Sequence, residues 1–246
     1  MGRSAMEPNT VTCTAAMSAC EKGAAWWRAL DLFTAMECES LEKNTFTYNA
    51  AITSCEKGGG WGKWERAFAL FALMDFRNAT KDRITCNAAV SACEKEGRWE
   101  RALGLLAHMG REAIERDTVT CNAVISACEK GEGGGAWERA LDHLSNLACE
   151  GLSRDTVTFG AAVSAIGAAV GDCWERALRL LAELGGSGLV PSAPLCSAAV
   201  SACGAGGHWR WALELMAAMG QQSLERDAVA CNSALTACSV AKAWER

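Results

Sequence analysis

Residues 83–117 read RITCNAAVSACEKEGRWERALGLLAHMGREAIERD. In the first part of this stretch, Cys86, Ala89 and Cys93 follow one another at spacings of three and four residues. That spacing places their side chains on one face of a helix. Gly97 comes next, where the end of a helix favours a residue that adopts positive φ. The pattern predicts a helix over about residues 85–95 that ends in a tight turn.

The second part of the stretch shows the same periodicity. Trp99, Ala102, Leu106 and Met109 form the apolar stripe of a helix predicted over about residues 98–110. Nothing alternates with the two-residue period of a strand. Two helices of this size cannot bury their apolar faces alone, so several copies must stack. The stretch therefore predicts an all-α fold, an α-solenoid of stacked helix-turn-helix hairpins.

Similar hairpins recur along the whole chain. The residues aligned with Cys86 are spaced by 35, 38, 35, 38, 37 and 35 residues, and the extra residues fall in the turn between the two helices. The predicted repeats are 10–44, 45–82, 83–117, 118–155, 156–192 and 193–227, with 1–9 as the tail of a preceding copy and 228–246 as a partial seventh. Because the pattern begins and ends within a copy, we expect a longer array, and a last helix that exposes apolar surface.

Composition restricts the classes of function. The formal net charge is −5 and no apolar run reaches 18 residues, which argues against a strongly basic surface and against a membrane-spanning helix. None of the 14 Cys forms a C-x-x-C pair and the three His are not at zinc-ligand spacing, so no metal site is expected. Most Cys recur at two positions of the repeat, in exchange with apolar residues. They are interpreted as small core residues of a reducing compartment.

The hairpin combines V-T-x-N at its start, a Gly between its helices, A-L-x-L-x-x-x-M in its second helix and a final Asp. This pattern resembles the pentatricopeptide repeat family, as a P-type-like array, and residues 45–49 (TFTYN) and 188–192 (GLVPS) match the usual start and end. The protein-binding tetratricopeptide hairpin is the main competitor, but the 35-residue period and the Asn and Asp placement favour the first family.

The resemblance implies a function for the array. It implies a right-handed α-solenoid that binds single-stranded RNA with one base per repeat. It also implies a role in RNA processing, stabilisation or translation in the mitochondrion or chloroplast, without catalysis and without a cofactor. No targeting peptide is visible in this chain, so the location is implied by the family alone.

In the family, the fifth and last residues of each repeat read one base. Carried over, the pairs are Thr14 with Asn44, Asn49 with Asp82, Asn87 with Asp117, Asn122 with Asp155, Gly160 with Ser192, and Ser197 with Asp227, followed by Asn232 as the first member of a seventh pair. The family's preferences imply the order A-U-U-U-N-G, read 5′ to 3′, where the fifth base is undetermined because Gly160 has no side chain. Amide, hydroxyl and carboxyl groups at these positions can bond a base edge.

Two further positions complete the implied RNA site. The second residue of each repeat supplies an apolar wedge against a base: Val11, Phe46, Ile84, Val119, Val157, Pro194 and Val229. The thirteenth residue is Lys in the first four repeats, which would form a stripe for phosphates: Lys22, Lys57, Lys95 and Lys130. Ala168, Ala205 and Val240 replace Lys in the last three copies, so we expect weaker RNA binding there. The recurrent Trp is interpreted as core.

Other interpretations stay open beside this one. On chemical grounds alone, the Asp that ends a repeat is interpreted as the N-cap of the next helix, and the recurrent Lys are interpreted as ordinary solvated charges. The net negative charge also fits a protein-interaction scaffold of the tetratricopeptide type. A fragment of a gene without a function of its own is a third interpretation.

Overall fold

The computed structural model describes residues 9–23, 25–58, 62–131, 135–149, 151–168 and 173–241. The side chains of Lys63, Ala148, Cys149 and Ala168 are not among the described parts. The predicted tail of a preceding copy (1–8), parts of the two longer turns (59–61 and 132–134) and the end of the partial seventh repeat (242–246) also lie outside the described residues. Over the described ranges the chain forms 13 α-helices and no strand.

The chain divides into two compact units, Met1–Arg116 and Asp117–Arg246. The helices of the first unit are α1 (Thr10–Lys22), α2 (Trp26–Cys38), α3 (Thr45–Lys57), α4 (Lys63–Phe76), α5 (Arg83–Lys95) and α6 (Trp99–Arg111). Those of the second are α7 (Thr118–Lys130), α8 (Ala136–Cys149), α9 (Thr156–Ala168), α10 (Trp174–Gly186), α11 (Ala193–Ala205), α12 (Trp209–Gln221) and α13 (Ala228–Val240).

Within each unit the hairpins stack in chain order. In the first unit α1 packs on α3 and α3 on α5, while α2, α4 and α6 each pack on the first helix of their own hairpin. In the second unit α7, α9, α11 and α13 pack on one another in the same way. The predicted all-α solenoid of stacked hairpins is therefore confirmed.

The helix limits follow from local capping. α5 begins at Arg83, two residues earlier than predicted, because Asp82 is its N-cap and accepts a hydrogen bond from Thr85 N at 2.8 Å. Gly97 has a φ of 63°, as its position between the two helices predicted. Residues in the left-handed conformation also follow the second helices: Ser40, Asn78, Ala113, Gly151, Gly188 and Ser223. The sequence does not predict this conformation for Ser40, Ala113 and Ser223.

One position of the first helices is fully buried in all the described copies except the last. The eighth residue of the repeat has a relative exposure of 0% in six copies: Met17, Ile52, Val90, Ile125, Val163 and Val200. Its counterpart in α13 is Leu235, which is 67% exposed, and Val240 is exposed as well. The last helix therefore exposes apolar surface, as predicted.

The buried cysteines behave as core residues. Cys86 and Cys93 are at most 1% exposed, and burial raises the pKa of Cys86 to about 11 and that of Cys93 to about 12. Both thiols are thus protonated at neutral pH, which makes them poor nucleophiles and poor metal ligands. The interpretation of these cysteines as core residues is confirmed, whereas Cys38 at the end of α2 is exposed.

The recurrent Trp is partly buried, and Trp174 and Trp209 pack against the core, in agreement with the interpretation of this residue as core. Its indole ring lies against an arginine of the following repeat: Arg66 Cζ is 5.0 Å from the Trp26 ring centroid, and Arg176 Cζ is 4.8 Å from that of Trp137. This contact gives the Trp-Glu-Arg motif a structural role between repeats.

Candidate nucleic-acid interface

An exposed apolar side chain occupies the second position of every first helix. The six large ones are 59% to 76% exposed, and Pro194 is exposed too: Val11, Phe46 and Ile84 in the first unit, and Val119, Val157, Pro194 and Val229 in the second. Soluble proteins do not ordinarily repeat an exposed apolar residue at a fixed position. Within each unit these side chains form a row at the N-terminal ends of the stacked first helices.

A polar group lies beside this row. Asn49 is three residues after Phe46, a spacing that makes the two neighbours on the surface of α3. Asn49 Nδ2 donates to Asp82 at 3.1 Å from Oδ1 and 3.2 Å from Oδ2. Thr85 Oγ1 lies 2.5 Å from Asn49 Oδ1 and 2.8 Å from Asp82 Oδ1. We call the residues Asn49, Asp82 and Thr85 a junction triad, because they join one repeat to the next.

The second unit contains an equivalent junction triad. Asn122 Nδ2 donates to both carboxylate oxygens of Asp155 at 3.3 Å. Thr158 Oγ1 lies 2.7 Å from Asn122 Oδ1 and 2.8 Å from Asp155 Oδ1, and Thr158 N donates to Asp155 Oδ1 at 2.8 Å. The fifth and last residues of repeats 2 and 4 are therefore directly bonded, and each pair is bonded to the third residue of the following repeat.

The triads keep their carboxylates ionised. Burial alone would raise the pKa of Asp82, but the hydrogen bonds from the backbone and hydroxyl of Thr85 and from the Asn49 amide outweigh it and hold the pKa below its ordinary value. The pKa of Asp155 is lowered in the same way, against the effect of burial, by hydrogen bonds from Thr158 and Asn122. Each triad therefore presents a negative charge and hydrogen-bond acceptors at neutral pH.

The junction that follows repeat 1 is arranged differently. Thr14 Oγ1 lies 3.2 Å from Thr47 Oγ1, and Asn44 caps α3 by accepting from Thr47 N at 3.0 Å. For repeat 3, Asn87 belongs to the first unit and Asp117 to the second. Within its own unit, Asp117 caps α7 by accepting from Thr120 N at 2.8 Å.

The junctions that follow repeats 5 and 6 lack these polar groups. At repeat 5 the third residue of the next copy is Leu195, which is buried, and Ser192 makes no side-chain cap bond. At repeat 6 the Ser197 hydroxyl is buried and has no hydrogen-bond partner in the described structure, while Asp227 caps α13. The Asn232 side chain in α13 is exposed. Base reading by Ser197 stays a prediction, and its buried hydroxyl does not favour it.

The predicted phosphate-binding residues Lys57 and Lys95 form ion pairs with the preceding repeat. Lys57 Nζ lies 2.7 Å from Glu21 Oε1, and Lys95 Nζ lies 2.9 Å from Glu56 Oε1. Both lysine side chains are about half-exposed, at 47% and 48%. A phosphate would therefore meet a lysine whose charge is already partly balanced, which agrees with the acidic composition.

The third residue of the repeat takes part in the junction triads, and the sequence pattern did not predict its contact with the fifth residue of the preceding repeat. Thr occupies the third position in five successive copies: Thr12, Thr47, Thr85, Thr120 and Thr158. That recurrence was visible in the sequence, but its partners lie 36 residues earlier, at Asn49 and Asn122, beyond the reach of any single-helix pattern. The recurrent Glu at the twelfth position was overlooked for the same reason.

Comparison with known proteins agrees with this geometry. A sequence model of the family described as PPR repeat matches residues 84–114, which lie within the stretch where the pattern was first recognised. One copy of the repeat, residues 84–114, is therefore similar to the PPR repeat. No curated protein sequence matches this chain.

Solved structures of pentatricopeptide repeat proteins share its fold. The crystal structure of PPR10 from maize is 23% identical, with a TM-score of 0.66 over 92% of this chain and 31% of that one. PPR10 in complex with an 18-nt psaJ RNA element is 20% identical, with a TM-score of 0.57 over 95% and 36% of the two chains. Nuclear proteinaceous RNase P 2 (PRORP2) from A. thaliana is 14% identical, with a TM-score of 0.62 over 72% and 38%.

The chain thus spans about a third of the length of the PPR10 chains that it resembles. At these identities the likeness establishes the fold. Among the described residues, no helix is long and apolar enough to cross a membrane, and no group of three His, Cys, Asp or Glu could hold a metal ion.

Proposed function

We propose that this protein binds single-stranded RNA along the N-terminal ends of its first helices, with one base per repeat. The observation that carries the proposal is an exposed apolar side chain placed beside a bonded Asn–Asp pair, at Phe46 in one unit and Val119 in the other. An apolar side chain stacks on any base, and a fixed polar pair beside it can discriminate between base edges.

The chemistry of the pair favours uracil. Asn49 is 7% exposed, and its Nδ2 has two hydrogens. Because one hydrogen is directed between the two oxygens of Asp82, the other can donate to a base carbonyl that reaches this edge of the helix. Asp82 Oδ2 retains lone pairs that can accept from the N3–H of uracil. Cytosine carries an unprotonated N3, which a carboxylate repels. Repeats 2 and 4 therefore support U at those places of the proposed order A-U-U-U-N-G.

Neighbouring proteins support RNA as the ligand. The PPR10 structure with a TM-score of 0.57 to this chain contains an 18-nt RNA element. We extend that ligand class to this chain because its exposed apolar row and its Asn–Asp pairs would otherwise have no binding partner. Protein partners can add to RNA binding, and the described residues give no reason to include a membrane.

We also propose, from the family resemblance, a role in RNA processing, stabilisation or translation without catalysis by these repeats. A mitochondrial or chloroplast location has the same origin, and the relative PRORP2 is described as nuclear. Imaging of the complete protein with a fluorescent tag would show the compartment. A cytosolic or nuclear signal would contradict the organellar proposal without affecting RNA binding.

The first test is direct binding of a fluorescently labelled RNA that contains AUUU, measured by anisotropy at about 50 and about 200 mM salt. We expect saturable binding that weakens modestly with salt, since few lysines are available for phosphates. An RNA in which the three U are replaced by C serves as the control and should bind at least about a hundredfold more weakly, because each replaced base should cost about tenfold. Absence of binding at low salt would contradict the proposal.

The second test separates base reading from helix capping. Asp82→Asn preserves the cap, because Asn44 caps α3 in the same way. The new amide can donate to N3 of cytosine, so the preference of repeat 2 should move from U toward C. An unchanged preference, with unchanged stability, would show that Asp82 only caps α5.

A protein-interaction scaffold is the second candidate. The observation that favours it is the pairing of Lys57 and Lys95 with glutamates, which partly balances two of the charges proposed to bind phosphates. The RNA titration decides between the two candidates, because a protein-binding surface would show no difference between the U-containing and C-containing RNAs.

A further inference from the structure

The polar atoms of a junction triad differ in the hydrogen bonds that they form. In the first unit, Asn49 Oδ1 and Asp82 Oδ1 both lie within hydrogen-bond distance of the Thr85 hydroxyl, and Asp82 Oδ2 accepts from the Asn49 amide. The Ile84 backbone also donates to the Asp82 carboxylate. The single hydroxyl hydrogen of Thr85 is shared between the two oxygens that it faces, and the second hydrogen of the Asn49 amide is the donor available to a base.

The threonine comes from the next repeat. Thr85 is fully buried at the start of α5, and Thr158 is fully buried at the start of α9. Each anchors an asparagine of the preceding first helix, Asn49 in α3 and Asn122 in α7. The position of a reading pair is thus set by two repeats together and not by its own repeat alone.

Junctions without this hydroxyl show what is lost. Ala230 stands at the third position of the repeat that follows Ser197, and the Ser197 hydroxyl has no hydrogen-bond partner among the described residues. Asp227 still caps α13, through Ala230 N at 2.7 Å. Capping by the last residue therefore survives without the threonine, whereas the contact with the fifth residue does not.

We propose that Thr85 and Thr158 are positioning residues that determine the base selectivity of the repeats before them. The proposal rests on base reading by the Asn–Asp pairs, as proposed above. Without the hydroxyl, Asn49 Oδ1 loses its buried donor and the amide can rotate or withdraw from the carboxylate. The second repeat should then still bind RNA through Phe46 but should distinguish U from C poorly.

The experiment compares Thr85→Val, Thr85→Ser and wild type in anisotropy titrations with RNAs that differ only at the base facing repeat 2. Wild type should prefer U over C about tenfold. Thr85→Val should reduce that preference to about twofold or less, while Thr85→Ser, which keeps the hydroxyl, should retain it. A second RNA pair varied at the base facing repeat 4 should report an unchanged preference in all three proteins.

Thr12→Val is the matched control. Thr12 holds the same position in α1 and forms a capping box with Asn9, whose backbone N donates to Thr12 Oγ1 at 2.9 Å. This variant should keep both preferences, which separates damage to a cap from loss of positioning. A purely structural role for Thr85 would weaken binding of all RNAs equally and leave the preference at repeat 2 intact, and this result would overturn the proposal.

The proposed function can fail separately. If wild type binds RNA but shows no preference at repeat 2, base reading is wrong and the positioning proposal is overturned with it. If wild type has the preference and Thr85→Val keeps it, base reading stands and only the positioning proposal is overturned. Loss of the preference in Thr85→Ser would also count against it.

Discussion

The contacts of α3 with α5 and of α11 with α13 occupy the same place in the repeat but are built from different residues. Between α3 and α5, Lys95 Nζ donates to Glu56 Oε1 at 2.9 Å. Between α11 and α13, Gly204 replaces the glutamate, and a Cβ there would lie 2.6 Å from the backbone oxygen of Ser233. Charged side chains join the first pair of helices, and close backbone approach joins the second.

Several positions change together between these two regions. The region with Glu56 and Lys95 also has a junction triad, whereas the region with Gly204 has the unpartnered Ser197 hydroxyl and Ala230. The polar residues proposed to read bases are thus found where charged side chains lie between the first helices. The comparison teaches that the proposed reading positions and the packing of the first helices vary together along the chain.

The largest expected effect is on the buried eighth position. Ile52→Ala removes a fully buried side chain from α3 and should lower the free energy of unfolding by about 2–5 kcal/mol. Leu235→Ala at the equivalent place in α13 should change it by less than about 0.5 kcal/mol, because Leu235 is exposed. Urea titrations followed by circular dichroism measure both, and equal losses would show that Leu235 is covered in solution.

Glycine substitutions test the close approach of α11 and α13. Gly204→Ala should cost about 1–3 kcal/mol, since its methyl group would meet backbone that cannot move independently. Gly104→Ala in the middle of α6 meets nothing within 4 Å and should instead stabilise by about 0.5–1 kcal/mol. If both variants gained stability, the tight packing of the C-terminal region would be disproved.

The junction triad itself can be isolated by comparing two caps. Asp82→Ala removes a cap and the triad, whereas Asp227→Ala removes a cap alone. Each lost cap should cost about 1 kcal/mol, and Asp82→Ala should cost about 1 kcal/mol more. Losses of the same size in the two variants would mean that the triad adds no stability.

The pH dependence of the same variant gives a second measurement. Because the folded-state pKa of Asp82 is lower than its ordinary value of 3.8, its ionised form stabilises the fold fully above that value. The difference in stability between wild type and Asp82→Ala should therefore shrink as pH falls from about 3.8 through the folded-state pKa. A difference that grows on acidification would contradict the assigned hydrogen bonds.

The smallest expected effect concerns the ion pairs between repeats. Lys57→Met should destabilise the first unit by about 0.2–1 kcal/mol at low salt, and the loss should diminish at high salt. A double-mutant cycle with Glu21→Gln isolates the pair. If the cycle shows no coupling energy, the ion pair does not stabilise the fold and the Lys57 ammonium is available to bind a phosphate.

Much of the fold could be predicted from sequence, because local signals dominate a repeat array. The periodicity around Cys86 and Cys93 predicted a helix, and the Gly97 turn predicted the hairpin. The repeated spacing then predicted the stack, since hairpins of this kind bury their faces only against copies of themselves. Ala113, with a φ of 52°, was not predicted, because a left-handed turn at a residue other than Gly or Asn has no sequence signal.

The candidate site was predicted only as separate residues. Asn49 and Asp82 were paired by family resemblance, but their direct bond and the contribution of Thr85 depend on how two repeats pack. Burial of the Ser197 hydroxyl and neutralisation of Lys95 by Glu56 depend on the same packing. Contacts between repeats are set by stacking geometry, which the pattern of one repeat does not encode.

The central claim is that the exposed apolar row binds RNA most strongly where junction triads are present. Its most direct test is the affinity for an RNA containing AUUUNG, measured for Phe46→Ser/Ile84→Ser and for Pro194→Ser/Val229→Ser. All four positions are exposed, so neither double variant should unfold. We predict a loss of at least about tenfold for the first and less than about threefold for the second. Unchanged affinity in the first variant, or an equal loss in both, would contradict the account.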